Sequence, residues 1–533
     1  VVAEFLTTAT SESNPELYTA CEEILKTVTS VASPQEVLLE ILAVVEACED
    51  DYQFRSALKA LQLCILRLPE NKILSIDHAL EAVWGFVERL PYAEACGKSY
   101  TEEGQKLLEI EKNITRFLTN YVTLTLFLQP IRDEFLKIPL GSPSFPRNSR
   151  RAVLMRFFMN LLGGSFARLH LKVEERPINT YSRQCSGFLV ESLNQLLGGD
   201  SFCILPAIEE RFRWKRKGGK NVSIFLDASK ISTSGLLIYF YVIFVGRQGV
   251  QTPRIYSPVY ILEILLYLIT NSLKSDFEEI QMKAVELLKS LLESLELQTL
   301  SSNHLELQIH AELCLNLTNL MIYSTSEEIR KGSIETFRKY LGKFDDEGRF
   351  LIVEKLFEKH KDASNFRGFL TTQFKDFVAE ILSREENRFP VQERFLRIMS
   401  NLTTLKDKEA TDLVQEAEAI IAALNTIRFL ALRDHENRTG FWDLVPGMQN
   451  SFLAFIRKSM DLGRVHYEAE KTKIERSEDE EISEQLSVDV GGKILPKLTR
   501  EQKIFVMNNS LMKLDLIESV LARVNECLNV QEK

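Results

Sequence analysis

Residues Ala417–Trp442 read A-E-A-I-I-A-A-L-N-T-I-R-F-L-A-L-R-D-H-E-N-R-T-G-F-W, and this stretch decides the fold. Its first half carries Ala417, Ile420, Leu424, Ile427 and Ala431 at the spacing that gathers side chains on one face of an α-helix. Its second half, Asp434 to Gly440, is polar and ends in glycine, the composition of a helix stop and a turn. Two aromatics of the kind expected on an exposed tip, Phe441 and Trp442, follow at once. The stretch holds no nucleophile–base pair, ligand cluster or phosphate loop, so it reads as a binding device rather than a reaction centre.

The same grammar recurs along the chain. Ile329, Ser333, Thr336/Phe337, Tyr340/Leu341 and Phe344 form a second stripe. Phe369/Leu370, Phe374, Phe377/Val378 and Ile381/Leu382 form a third, and Leu511, Leu514, Ile517, Leu521, Val524 and Leu528 a fourth. Each helix buries its apolar face only by stacking on a neighbour, which predicts an all-α helical-repeat solenoid. Further helical patterns fill residues 15–31, 34–48, 52–67, 76–90 and Leu107–Leu128, with Ser33–Pro34 placed as N-cap and first helical residue. Val222–Leu226 is the one short alternating run, so negligible strand is expected.

Breaks in the pattern suggest two or three sections. Pro139–Arg150 contains three prolines and a glycine and divides residues 1–140 from a less regular middle section, 150–323. The cleanest stripes lie in 324–533, expected to be a separable helical unit. A length of 533 residues exceeds what one hydrophobic core usually serves. The absence of Met at Val1 leads us to expect a preceding segment.

Composition narrows the function classes. With 45% hydrophobic and 26% charged residues the chain is an ordinary folded one. A formal net charge of −10 opposes general nucleic-acid binding, which depends on neutralising phosphates. About half of that charge sits between Tyr467 and Leu486, where eight acids face three bases, and this segment reads as a solvated loop. The eight cysteines include no C-x-x-C and fall mostly in apolar helical runs, as free buried thiols do. The sequon at Asn316 falls in a helix expected to be buried, where a glycan does not fit. The longest apolar run, Leu236–Val245, has ten residues and is too short to span a bilayer, so it and Val259–Ile269 read as buried helices.

Constellations that would carry chemistry fail on context. Gly163-Gly164-Ser165-Phe166-Ala167 approaches a nucleophile elbow but lacks its last glycine and follows a helix rather than a strand. It reads as a glycine-terminated helix. No phosphate-binding glycine motif occurs, and the seven histidines do not cluster; His435 and His466 flank polar turns. We therefore expect no enzyme activity, no cofactor and no metal. The run Arg211–Lys220 has six bases and no acid, and reads as a solvated loop ahead of a nuclear import signal or a contact for an acidic partner. Arg428 lies about 40° from Leu424 on a helical wheel, inside the apolar face. A charge there calls for a carboxylate partner, such as Asp434 or Asp443, which would make Arg428 a structural anchor of the turn. Arg433 falls on the solvent side.

Asn425–Trp442, Arg464–Glu470 (R-V-H-Y-E-A-E) and Asp515–Val524 (D-L-I-E-S-V-L-A-R-V) resemble the glomulin family. Ser257–Glu263 and Ala79–Trp84 fit it more loosely, and the start of the family's N-terminal region has no counterpart here. The acidic Glu475–Glu484 stretch and the basic 211–220 run depart from the family's pattern. The resemblance implies a HEAT-like repeat protein without catalytic activity. It implies binding of the RING-box subunit of cullin-RING ubiquitin ligases through the C-terminal repeats, which keeps the ubiquitin-conjugating enzyme off the RING. An immunophilin is a further implied partner, and a cytoplasmic location with access to the nucleus is implied as well. A competitor for such a patch needs aromatic or arginine anchors ringed by polar contacts. Arg433, Asn437, Phe441 and Trp442, with Tyr467 nearby in sequence, are of those types. The competing reading is a HEAT-type adaptor for another partner in transport or signalling.

Overall fold

A computed structural model describes residues 2–69, 71–90, 110–137, 150–171, 180–213, 231–246, 255–385, 389–476, 489–490, 493–494 and 499–529. The described helices are α1 (Thr8–Ser13), α2 (Pro15–Val31), α3 (Pro34–Ala47), α4 (Asp51–Arg67), α5 (Ile73–Arg89), α6 (Lys112–Leu136) and α7 (Arg150–Leu162). They continue as α8 (Tyr181–Leu196), α9 (Leu205–Arg213), α10 (Thr233–Phe244), α11 (Pro258–Ser272), α12 (Glu278–Glu293), α13 (Gln308–Tyr323) and α14 (Glu327–Gly342). The last seven are α15 (Asp346–Lys359), α16 (Ser364–Leu382), α17 (Gln392–Leu402), α18 (Ala417–Arg433), α19 (Phe441–Met448), α20 (Ala454–Arg476) and α21 (Arg500–Asn529). Among the described residues, extended pairing is limited to the hairpin Asp489–Val490/Lys493–Ile494 and one isolated bridge, so the protein is an all-α helical-repeat solenoid. The Val222–Leu226 run lies outside the described residues.

Local chemistry sets where helices begin. Proline stands in the first turn of α2, α3 and α11, where its missing N–H costs nothing. Asn14, Asp50, Glu111, Ser232 and Asp345 accept backbone N–H groups at the starts of α2, α4, α6, α10 and α15. Ser33 holds the N-cap position of α3 but makes no side-chain cap bond, so Pro34 alone presets that start. Gly163 ends α7 through a bond from its N–H to Asn160 O, and a 3₁₀ turn over Gly164–Arg168 follows, with no strand before it.

Packing follows the repeat logic, with helices touching the next but one along the chain. Contacts run α2–α4, α3–α5, α4–α6, α5–α7 and α6–α8, and resume as α10–α12 and α11–α13. The chain forms two compact units, residues 1–296 with 307–339 and residues 297–306 with 340–533. The sequence suggests two or three sections; the 140–150 break falls mostly on residues outside the described set, and residues 324–339 belong to the first unit.

In the first unit, Phe54 stacks on Phe86 and Tyr121 on Phe166. Helix α7 is buried almost all round, and two of its arginines bond inside. Arg151 donates to the carbonyls of Phe135 and Leu136 at the end of α6, and Arg156 pairs with Asp77. The apolar runs near 236–245 and 259–269 are the buried helices α10 and α11, and no described helix is long and apolar enough to cross a membrane. Asn316 is buried and donates to Thr270 O. Arg211 is anchored by bonds to Ile231 O and Thr233 Oγ1, while 214–220 lie outside the described residues.

The second unit gathers a short segment from earlier in the chain. Leu300 forms a parallel bridge with Phe344: its N–H donates to Lys343 O and its carbonyl accepts from Asp345 N. Asp345 then caps α15 through Gly348 N and accepts Ser302 N. Both Leu300 and Phe344 are fully buried, which is why 297–306 belongs to this unit. Helix α16 packs on α18, and α21 lies against both α18 and α20.

Candidate functional site

Helix α18 carries the second unit's candidate site at its C-terminal end. Its buried stripe is the expected one: Ala417, Ile420, Leu424, Ile427 and Ala431 are all 3% exposed or less. The chain then turns through Asp434–Gly440, and this turn is organised by one buried carboxylate. Asp434, 1% exposed, accepts from Arg438 N at 2.7 Å, Thr439 N at 3.1 Å and Thr439 Oγ1 at 2.5 Å. Two residues adopt left-handed backbone, Asn437 at φ 52° and Gly440 at φ 80°. A Cβ on Gly440 would come within 2.9 Å of Gln392 Nε2, so glycine suits the site twice over.

Three expected surface residues are tied into this turn. Trp442 Nε1 donates to Asp434 O at 2.7 Å, and Trp442 N donates to Asn437 Oδ1 at 3.0 Å. Asn437 Nδ2 donates to Asp443 Oδ1 at 3.2 Å. Arg438 reaches sideways to the carbonyls of Leu382 and Arg384, clasping the end of α16. Phe441 corrects its expected exposure: it is 0% exposed, stacked edge-on against Trp442 at 5.3 Å. The left-handed step at Gly440 reverses the chain, so the first residue of α19 points into the core. Trp442 is half-buried.

What this frame leaves outside is compact. Leu432, Arg433, His435 and Glu436 are exposed at the corner, and Arg433 makes no hydrogen bond or ion pair. Tyr467 lies elsewhere, on α20, where its hydroxyl donates to Asp412 Oδ1 at 3.4 Å. Burial and then the adjacent Asp412 charge push its hydroxyl up to about 12. Among the described residues no hydrogen bond or ring contact joins Tyr467 to the turn. His466 sits in the same helix against Tyr467, not beside a turn.

Arg428 departs from expectation most clearly. No carboxylate pairs with it: Asp434 is taken by the turn, and Asp443 accepts from Asn437. Arg428 is half-buried, its Nε is shut from solvent without a hydrogen-bond partner, and it makes no ion pair. It lines a cleft of about 410 Å³ between α16 and α18, with Thr372, Lys375, Asn425, Phe429 and Leu432. Sequence reasoning missed these neighbours. The available signal was Phe429 and Leu432, apolar residues about 160° and 100° off the centre of the α18 stripe on a helical wheel.

Among the described residues no His, Cys, Asp or Glu cluster could hold a metal. Stacked helices with a rigid, solvent-facing corner define a helical-repeat binding scaffold. A family model described as an uncharacterised protein family, YAP/Alf4/glomulin, matches residues 224–495. The chain belongs to this YAP/Alf4/glomulin family. Glomulin of Mus musculus is 24% identical over 527 residues, covering 96% of this chain and 84% of that protein. Glomulin of Homo sapiens is 25% identical over 525 residues, with the same coverage.

Proposed function

We propose that the chain is a non-catalytic inhibitor of cullin-RING ubiquitin ligases. It binds the RING domain of the RING-box subunit through residues 324–533 and keeps the ubiquitin-conjugating enzyme from that surface. Family membership supports this reading, and the geometry of the corner after α18 supports it as the contact. There a hydrogen-bonded turn holds Arg433, unpaired, outward beside Leu432, His435 and Glu436. A rigid arginine next to an apolar side chain is the kind of anchor that interfaces use, because little entropy is lost when a preorganised group binds. The same proposal includes an immunophilin as a further partner, a cytoplasmic location with access to the nucleus, and no nucleic-acid or membrane partner.

The test is ubiquitin-chain synthesis by a reconstituted cullin-RING ligase. Full-length protein is expected to inhibit, and excess conjugating enzyme to relieve the inhibition, since the two compete. Arg433→Glu is expected to raise the half-inhibitory concentration about tenfold, equivalent to about 1.4 kcal/mol of binding. A fragment of residues 297–533 should inhibit, whereas residues 1–296 should not. Inhibition indifferent to the conjugating enzyme's concentration would overturn the proposal.

A further inference from the structure

The arginines of the second unit show what Arg428 lacks. Arg349 pairs with Glu380, Arg367 with Glu416, Arg384 with Asp346 and Glu380, and Arg394 with Glu347 and Glu354. Carboxylates thus partner most of the half-buried guanidinium groups here, and Arg438 bonds to carbonyls instead. Arg428 is half-buried as well, yet has neither ion pair nor hydrogen bond, and its Nε is sealed from water. A buried donor left unsatisfied is uncommon in folded proteins, and a charged one more so. Arg428 lines the cleft. Lys375 stands across from it on α16, and its ion pair is with its sequence neighbour Asp376 at 3.5 Å.

The cleft is also apolar where it is open. Phe429 and Ala422 line it, and Leu432 is 49% exposed at its end, on the side of α18 that faces away from the core. Two cations, an apolar wall and the amide of Asn425 in about 410 Å³ suit a peptide carrying one carboxylate beside a large apolar side chain. A polyanion is a poor match, because the chain as a whole carries a net charge of −10. We propose that the α16–α18 cleft is a docking site for an acidic-apolar segment of a partner protein. The segment's carboxylate pairs with Arg428, with Lys375 at the rim, and its apolar side chain lies on Phe429 and Leu432. The site shares Leu432 with the corner of the RING-binding proposal but not Arg433, which is not among the cleft's lining residues.

The test is selection of a phage-displayed random dodecapeptide library on the full-length protein, followed by fluorescence-anisotropy titration of the enriched peptides. Enriched peptides are expected to carry Asp or Glu within two positions of Leu, Ile, Met or Phe. Their affinity is expected to fall at least about tenfold with Arg428→Gln and to a lesser degree with Lys375→Gln, and to be unchanged with Arg433→Gln. The variants should melt at the parent temperature, because Arg428 makes no hydrogen bond or ion pair among the described residues; should Arg428→Gln nonetheless lose its fold, Lys375→Glu on the opposite wall replaces it, with the same expected loss. Enriched peptides without an acid, or peptides that bind the parent and the cleft variant equally, would overturn the proposal. Inhibition of ubiquitin transfer by Arg428→Gln should match the parent, so failure here and failure of the RING reading are distinguishable.

Discussion

One helix, α18, ends in a turn organised around a buried carboxylate and carries, earlier along its length, a cleft where a charge has no partner. In the turn, the carboxylate of Asp434 takes three donors and its backbone carbonyl takes the Trp442 indole. In the cleft, Arg428 offers donors that nothing in the chain accepts. Both regions are polar and partly buried, yet they answer to different demands. Removing a member of a satisfied network orphans its partners, whereas removing an unsatisfied group orphans none. The turn is thus built for the fold, and the cleft is open to a partner.

This contrast can be broken by substitution. Asp434→Ala has the largest expected effect, a loss of about 3 kcal/mol or more, because two buried backbone N–H groups and a buried hydroxyl lose their acceptor. Urea unfolding would measure it, and a loss under about 1 kcal/mol would erase the distinction between the two regions. Gly440→Ala comes next, at about 1–2 kcal/mol, from a left-handed backbone that alanine resists together with the approach of Gln392. Trp442→Phe keeps the ring and deletes the indole donor, for an expected loss of about 1 kcal/mol in the same assay. Arg428→Met has the smallest expected effect, within about 0.5 kcal/mol of the parent and on the stabilising side if it differs. A large loss there would mean that the guanidinium is structural after all.

The outline of the helices was legible because periodicity reports which face is buried. Ile329, Phe337, Tyr340, Leu341 and Phe344 are all 0% exposed, as their spacing implied. The boundaries at Pro15, Pro34 and Arg67 agree with the pattern within a residue, since proline and capping residues act locally. The candidate site was less legible. Phe441 and Trp442 were read as an exposed pair from their place after a polar turn, but a left-handed glycine between turn and helix sends Phe441 inward. Arg428, expected inside the apolar face with a carboxylate partner, is half-buried and unpaired, because Asp434 bonds to residues only four and five positions on, and that local competition outweighs a longer reach.

The amino-acid sequence by itself determined the class of fold: amphipathic helices that each need a neighbour, with no competing strand pattern. It also determined the location of the turn after α18, since Gly440 and the polar run before it are local signals. Only the tertiary structure decided that 297–306 joins the second unit, because the pairing of Leu300 with Lys343 and Asp345 links residues more than forty positions apart. Only it decided that Lys375 of α16 shares a cleft with Arg428 of α18. Periodicity records which way a side chain faces on its own helix; which neighbour it meets depends on how helices stack, and that is settled by the packing of whole surfaces.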